Sequence, residues 1–431
     1  MPWHERNGRI VLDEVIDVGR WRLPDWHFGL GRELGLAFWA MFFVEAAFGS
    51  YWNIWPIYIS SLGASVPIVG FIVGASGIVR LLVMPPSAAI ADRLGSRTVL
   101  VGARTIAFAG YFWAVLATDW RLLIPVVICQ GIGDVAFPQI QAHVAAQSRG
   151  DTTRIFALVF VVGPGVALGI GPLLSGLAIG AVGLRGAVAL TAAFTLASVL
   201  CFAALRNLAP AVGRKAHGAD HPGDAPATSS YRQALGDPNV RRIVILHAAT
   251  LFSLGLGVAL LPYFLEQVRG IPAERIAQLG AIQAIGTIAF GIAASRLAWL
   301  QRNPFSGAAV AVVAVVAGLV IFTLTEFLPL LIVGFVLRGC VFSAWTLFSS
   351  AMGVIARPAD RSRGFAMIEL TGGTAFAVAP IVAGQIYELG PRVPLLAGIV
   401  LGLLVVPLLL RSQRQVHRLA SVDQRLAAAA D

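Results

Sequence analysis

Apolar residues run for about twenty positions at a time along this chain, and polar residues gather in short breaks between the runs. A run of that length crosses the roughly 30 Å hydrocarbon core of a bilayer as a helix. Twelve such spans are predicted, at 33–61, 66–91, 98–117, 121–147, 154–180, 184–206, 241–268, 273–295, 304–323, 328–354, 364–387 and 393–411. The runs are too long and too uniformly apolar for the ten-residue alternating strands of a membrane barrel. An all-α integral membrane protein is therefore expected, with twelve transmembrane helices.

Short connections separate all the spans except the sixth and seventh, between which residues 207–240 are rich in Pro, Gly, Ser and charge. That composition reads as a flexible linker, and His217, Asp220, His221 and Asp224 within it read as solvated residues in preference to metal ligands. The expected organisation is an N-terminal segment (1–32), a six-helix bundle (33–206), the linker (207–240), a second six-helix bundle (241–411) and a tail (412–431). An internal repeat supports this division. "GDTTRIFA" at 150–157 matches "ADRSRGFA" at 359–366, and "QG" at 130–131 matches "RG" at 338–339, with offsets of 209 and 208 residues.

Charge changes the picture in two ways. Only 13% of residues are charged, about half the usual share of a soluble domain, yet the net charge is +10. With the termini placed in the cytoplasm, 24 of the 32 basic residues fall on the inner side, five in outer loops and three within spans. The excess thus reports topology through the positive-inside rule, not a nucleic-acid partner. Residues 1–32 carry ten charges and no apolar core, so they do not read as a signal peptide. Trp21 and Trp26 suit the headgroup layer. Cys129, Cys201 and Cys340 lie apart within spans, where they read as small packing residues, and no metal or cofactor is expected.

Between the second and third spans, Asp92-Arg93-Leu94-Gly95-Ser96-Arg97 makes a tight charged turn. It resembles the loop signature of the major facilitator superfamily, which runs Gly, three residues, Asp-Arg, any, Gly, any, then basic residues. Ala88 and Thr98 depart from that pattern, and "SRLAWLQR" at 295–302 is a decayed second copy. The resemblance implies two pseudo-symmetric bundles that handle a small molecule between them. It also implies a conformational latch in which Asp92, with Arg93, Gly95 and Arg97, docks on the start of span eleven at Arg363. The alternative is a merely topogenic turn. Gly171, Pro172 and Gly176 partly match a glycine pattern that the superfamily's antiporters carry in span five. Helix packing through small residues is the equal alternative.

Charges inside spans are costly and must face an interior, pair, or change protonation. Glu45, Arg80, Asp134 and Arg338 lie well inside spans one, two, four and ten. In span four, Gln130, Asp134, Phe137 and Gln141 follow helical spacing along one face. In span one, Glu45, Trp52 and the neighbouring Asn53 form a second polar face. Arg80 lies twelve residues before Asp92, about 18 Å along a helix, so a pairing with Glu45 or Asp134 is expected. An ion pair that separates during a conformational change invites a proton onto its carboxylate. Glu45 and Asp134 are accordingly candidate proton-coupling residues, with a static network or direct substrate binding as alternatives. Trp52, Asn53, Arg80, Gln130, Phe137, Gln141, Gln283, Arg338 and Trp345 are candidate substrate-binding residues. His247 and Glu369 read as interfacial anchors, and Arg104 as a residue that snorkels to the surface.

The chain has no phosphate-binding loop, paired-His zinc motif or GxSxG nucleophile. An enzyme is not expected. The expected function is secondary active transport, as a monomer in the cytoplasmic (inner) membrane, by proton-coupled export of an amphipathic or cationic organic compound. Proton symport of an organic acid inwards, and a non-transporting receptor on the same fold, are the alternatives.

Overall fold

The computed structural model describes residues 26–148, 152–206, 235–355 and 361–430, among which every regular element is a helix. Eleven of the described helical segments are long and apolar enough to cross a membrane. Span four makes the twelfth crossing in two shorter helices.

Span one is Arg32–Trp52 followed by Trp55–Ser61. Spans two and three are Val66–Leu94 and Ser96–Leu116. Span four is Ile124–Gly133 and Ala136–Gln147. Span five runs from Thr152–Ala157 through Leu158–Val162 into Gly163–Val182, and span six is Leu184–Ala204. In the second half, span seven is Pro238–Val258 and Leu261–Gln267, and span eight is Ala273–Arg296. Span nine is Pro304–Leu324, and span ten is Leu328–Arg338 and Cys340–Ile355. Spans eleven and twelve are Arg361–Tyr387 and Val393–Ala430. Because the crossings are even in number, span one begins and span twelve ends at one face, called here the terminal face, and the opposite one is the far face.

Two boundaries differ from expectation. Span seven starts at Pro238 because the Asp237 carboxylate accepts the Asn239 N–H at 2.8 Å, an N-cap with proline at the first helical position. Span twelve continues to Ala430, where a tail was expected from 412. The extension is rich in Ala, Leu, Arg and Gln, all strong helix formers.

Spans one, four, seven and ten are each cut, at Asn53, Asp134, Ala259 and Gly339. Proline lacks an N–H and crowds the carbonyl four residues back. Pro56 and Pro262 stand four residues after Trp52 and Val258, where the first segments end. Span ten has no such proline, and its cut falls where Gly339 packs against the backbone of Gln283 and Thr287 in span eight. The Gly339 carbonyl accepts the Thr287 hydroxyl at 2.9 Å.

The halves meet along two seams. A Cβ on Gly70, Gly74 or Gly77 of span two would strike Pro380, Gly384 or Ala377 of span eleven. Gly176 of span five likewise meets Glu274 and Gln278 of span eight. Lipid offers no hydrophobic drive for helix association, so such close approach through small residues supplies the attraction. Both seams lie toward the far face, where Ile54, Trp55, Ile57, Tyr58 and Ile59 are also buried. Toward the terminal face Asp134, Phe137, Gln141 and Glu369 are exposed, and the space between the halves opens on that side.

Candidate functional site

The cuts in spans one, four and ten deliver Asn53, Asp134 and Arg338 to the middle of the molecule. Around Asp134, the first half assembles a charged cluster. Arg104 of span three is only 6% exposed, and its Nε donates to Ser198 Oγ of span six at 3.3 Å. It lies in electrostatic reach of both Glu45 and Asp134. The rings of Tyr51 and Tyr111 lie 5.3 Å apart, and both tyrosines are in electrostatic reach of Arg104. Gly133 lets span four close on span three beside it, since a Cβ there would strike Ala107 at 2.6 Å. Arg104 therefore does not snorkel: it is buried against Ser198 of span six, and the two carboxylates within electrostatic reach offset part of the cost of its burial.

Arg80 also acts electrostatically on Asp134, but its ion pair, at 3.9 Å, is with Glu369 of span eleven. Glu369 is consequently not an interfacial anchor. Half-exposed toward the opening, it also accepts the Trp345 indole N–H at 3.3 Å. His247, expected at the interface, is fully buried. Its Nδ1 lies 3.2 Å from the Thr371 hydroxyl, and its ring stands edge-on to Trp345 and Phe348 at 5.4 and 5.2 Å. Trp345 also stacks on Phe376 at 6.0 Å.

At the junction of the halves, Arg338 is 2% exposed. Its Nη1 donates to Asn53 Oδ1 at 2.6 Å, and its guanidinium lies 5.6 Å from the Phe335 ring centre. Among the described residues it has no acidic partner. Asn53 is buried against Gly280, whose missing side chain admits it. Two spaces flank this bond. One, of about 400 Å³, is walled by Arg338, Gln130, Ser76, Tyr51, Trp52 and Trp55 among others. The other, of about 300 Å³, holds Gln283, Thr287 and the second face of Trp52. Gln130 and Gln283 are both buried.

The expected span-four stripe is interrupted by the cut at Asp134. Gln130 is buried beyond the cut, whereas Phe137 and Gln141 are exposed on the open side, with the Phe137 ring 6.2 Å from Phe160.

Gly171 abuts the Ala46 carbonyl, Pro172 lies under Gly49, and Gly176 faces span eight. Span five thus packs on span one through its small residues, reinforced by the Ser175 hydroxyl on the Ser50 carbonyl at 2.7 Å. At the charged turn Gly95 has φ of 85°, a conformation that resists side chains. Arg93 is exposed, and Arg97 donates to the Ala203 carbonyl of span six. Arg97 is therefore committed to its own half. The side chains of Asp92 and Arg363 lie outside the described residues.

The sequence reading missed Arg104 and Tyr111. A signal existed: they stand seven residues apart, on one face of span three.

The sequence matches the family model described as Major Facilitator Superfamily over residues 37–357. No curated protein matches the chain significantly. Among solved structures, the nucleoside transporter NupG superimposes with a TM-score of 0.71 at 14% identity, over 89% of this chain and 99% of that one. The human organic anion transporter MFSD10 (TETRAN) gives 0.60 at 17%, over 88% and 99%. A POT family transporter solved with a thioalcohol-conjugated peptide gives 0.66 at 16%, over 90% and 96%. At such identities the likeness concerns the fold.

Proposed function

This chain belongs to the Major Facilitator Superfamily, and from that premise we propose that it is a secondary active transporter in which Glu45 and Asp134 couple proton movement to that of a small organic solute. As a member it is a multi-pass membrane transporter, not an enzyme. The observation that carries the coupling is the sharing of one buried guanidinium, Arg104, by two carboxylates. The cluster holds one more carboxylate than Arg104 can neutralise, and a proton on either Glu45 or Asp134 balances it. Arg80 is held by Glu369 across the halves. Arg80 acts on Asp134 even while so held, and a rearrangement that opens the pair with Glu369 strengthens that action, which makes proton affinity depend on conformation.

The basic-residue asymmetry supports a cytoplasmic terminal face in the inner membrane, so the conformer with both seams closed at the far face is inward-facing. An Asp92 latch across the terminal face would be released in it, in keeping with Arg97 facing its own half. The halves at 33–206 and 241–411 then move as the two bodies of a monomer, rocking about the midplane site. Glycines in span five and the aromatic, acidic first half support export of an amphipathic or cationic compound in exchange for protons. The second reading, proton symport of an organic acid inwards, is favoured by Arg338, which has no acidic partner among the described residues.

The test uses purified protein in liposomes with a trapped pH-sensitive dye, an interior-acid gradient, and cationic, neutral and anionic solutes added outside. The expected result is solute-dependent collapse of the gradient, reduced at least tenfold by Asp134→Asn or Glu45→Gln, with solute exchange retained. Full proton coupling in both variants would remove these residues from that role. Lumen acidification by anions without an imposed gradient would select symport.

A further inference from the structure

The space beside Arg338 is unusual in its polar groups. Arg338 presents several N–H groups, of which one is used on Asn53. The buried Nε2 of Gln130, beside Tyr111, has no acceptor in hydrogen-bond geometry. Ser76 already donates its hydroxyl to the Val73 carbonyl at 3.3 Å. No carboxylate lies among the walls. A buried cation and a buried amide N–H that both lack an anionic acceptor are costly, and a ligand oxygen carrying negative charge satisfies both. Asn53 Oδ1 stands on the guanidinium where a carboxylate oxygen would, without its charge. The remaining walls are apolar and include the rings of Tyr51, Trp52 and Trp55, flat surfaces that suit a planar group.

We infer that this space is the solute's anion subsite: Arg338 and Gln130 bind the carboxylate, phosphate or sulfonate of a small aromatic solute, and Asn53 holds the place of that anion when the transporter is empty. This rests on the second transport reading above, in which the solute is an organic acid, and gives that solute its binding groups. Asn53 and Arg338 belong to opposite halves, so the incoming anion also dissolves a bond that fastens them. Loading and release of the far-face closure are thereby the same event.

The test titrates the full chain in nanodiscs, in chloride-free buffer, with benzoate, benzamide and benzylamine while reading tryptophan emission. The three probes share a ring and differ in charge. Benzoate should give a saturable change with an apparent affinity at least tenfold above the other two. Arg338→Gln should weaken it at least tenfold, whereas Asn53→Ala should strengthen it severalfold by removing the stand-in. No saturable benzoate response, an equal or tighter response to benzylamine, or unchanged benzoate affinity in Arg338→Gln overturns the inference. If Arg338→Gln does not fold, unchanged or weaker benzoate affinity in Asn53→Ala overturns it instead. The readout does not involve transport. A chain that carries organic anions but keeps its benzoate affinity in Arg338→Gln loses the anion subsite alone, one that exchanges amines for protons and ignores benzoate loses the subsite and the organic-acid reading together, and one that binds benzoate but moves no solute loses the transport reading alone.

Discussion

At the cut in span four the chain places a carboxylate, Asp134, and at the cut in span ten it places a guanidinium, Arg338. The surroundings diverge as much as the charges do. Asp134 belongs to a cluster in which Glu45, Arg104, Tyr51 and Tyr111 all interact, so its charge state is negotiated among neighbours within its own half. Arg338 meets a single amide from the opposite half. One repeat surrounds its cut with carboxylates, a guanidinium and tyrosines, and the other sets a lone guanidinium beside its cut. Two copies of one helical plan thus keep the geometry of the cuts while dividing the chemistry between them.

Replacing the two buried arginines in turn tests that division most severely. Arg104→Gln leaves two carboxylates without their shared cation. Breaking a buried ionic group costs about 3–5 kcal/mol, so the variant should melt far below wild type in a detergent thermal scan. Arg338→Gln removes a cation with no acidic partner among the described residues and keeps an amide to face Asn53. A hydrogen bond to a charged group is worth about 1.5–3 kcal/mol, part of which the relief of an unpaired buried cation offsets, so the variant's loss of stability should be clearly the smaller. Equal losses would mean that the halves are not electrostatically distinct. Adding Glu45→Gln to Arg104→Gln should recover part of the lost stability, since the surplus charge falls.

A smaller effect is expected from removing the polar atoms of single rings. Tyr111→Phe, inside the first-half cluster, should slow proton-coupled transport severalfold. His247→Phe, in the aromatic box of the second half, should leave the rate within about twofold, as neutral core swaps of similar volume do. Smallest of all is Asp92→Asn, in the intact charged turn. A carboxylate at a helix N-terminus is worth about 0.3–1 kcal/mol, so the ratio of inward- to outward-facing conformers, read by spin-label distances, should change by no more than about fivefold. No change in either that ratio or the transport rate would reduce the turn to a topology signal.

Much of this was legible in the residues. The spans follow from apolar length alone, and the charges worth attention were those stranded within them. The cuts were harder to read. Pro56 and Pro262 are visible in the sequence, but helical spacing was carried through Asp134 as if span four were continuous, and so Gln130 was placed on the same surface as Gln141. Arg104 was judged by its depth along span three, which ignores the direction it faces. A guanidinium can reach either a membrane surface or a neighbouring helix, and only the arrangement of spans one, three and four decides between them. His247 and Glu369 were misjudged by the same measure.

The cuts also bear on how the molecule moves. A continuous helix transmits a tilt from one face of the membrane to the other, because every turn is bonded to the next. Trp55–Ser61 and Leu261–Gln267, each seven residues long beyond a cut, are relieved of that obligation. On the transport reading each is the short arm of a jointed lever, hinged at its cut, so that the far face is to open at these two arms before the rest of the bundles has turned.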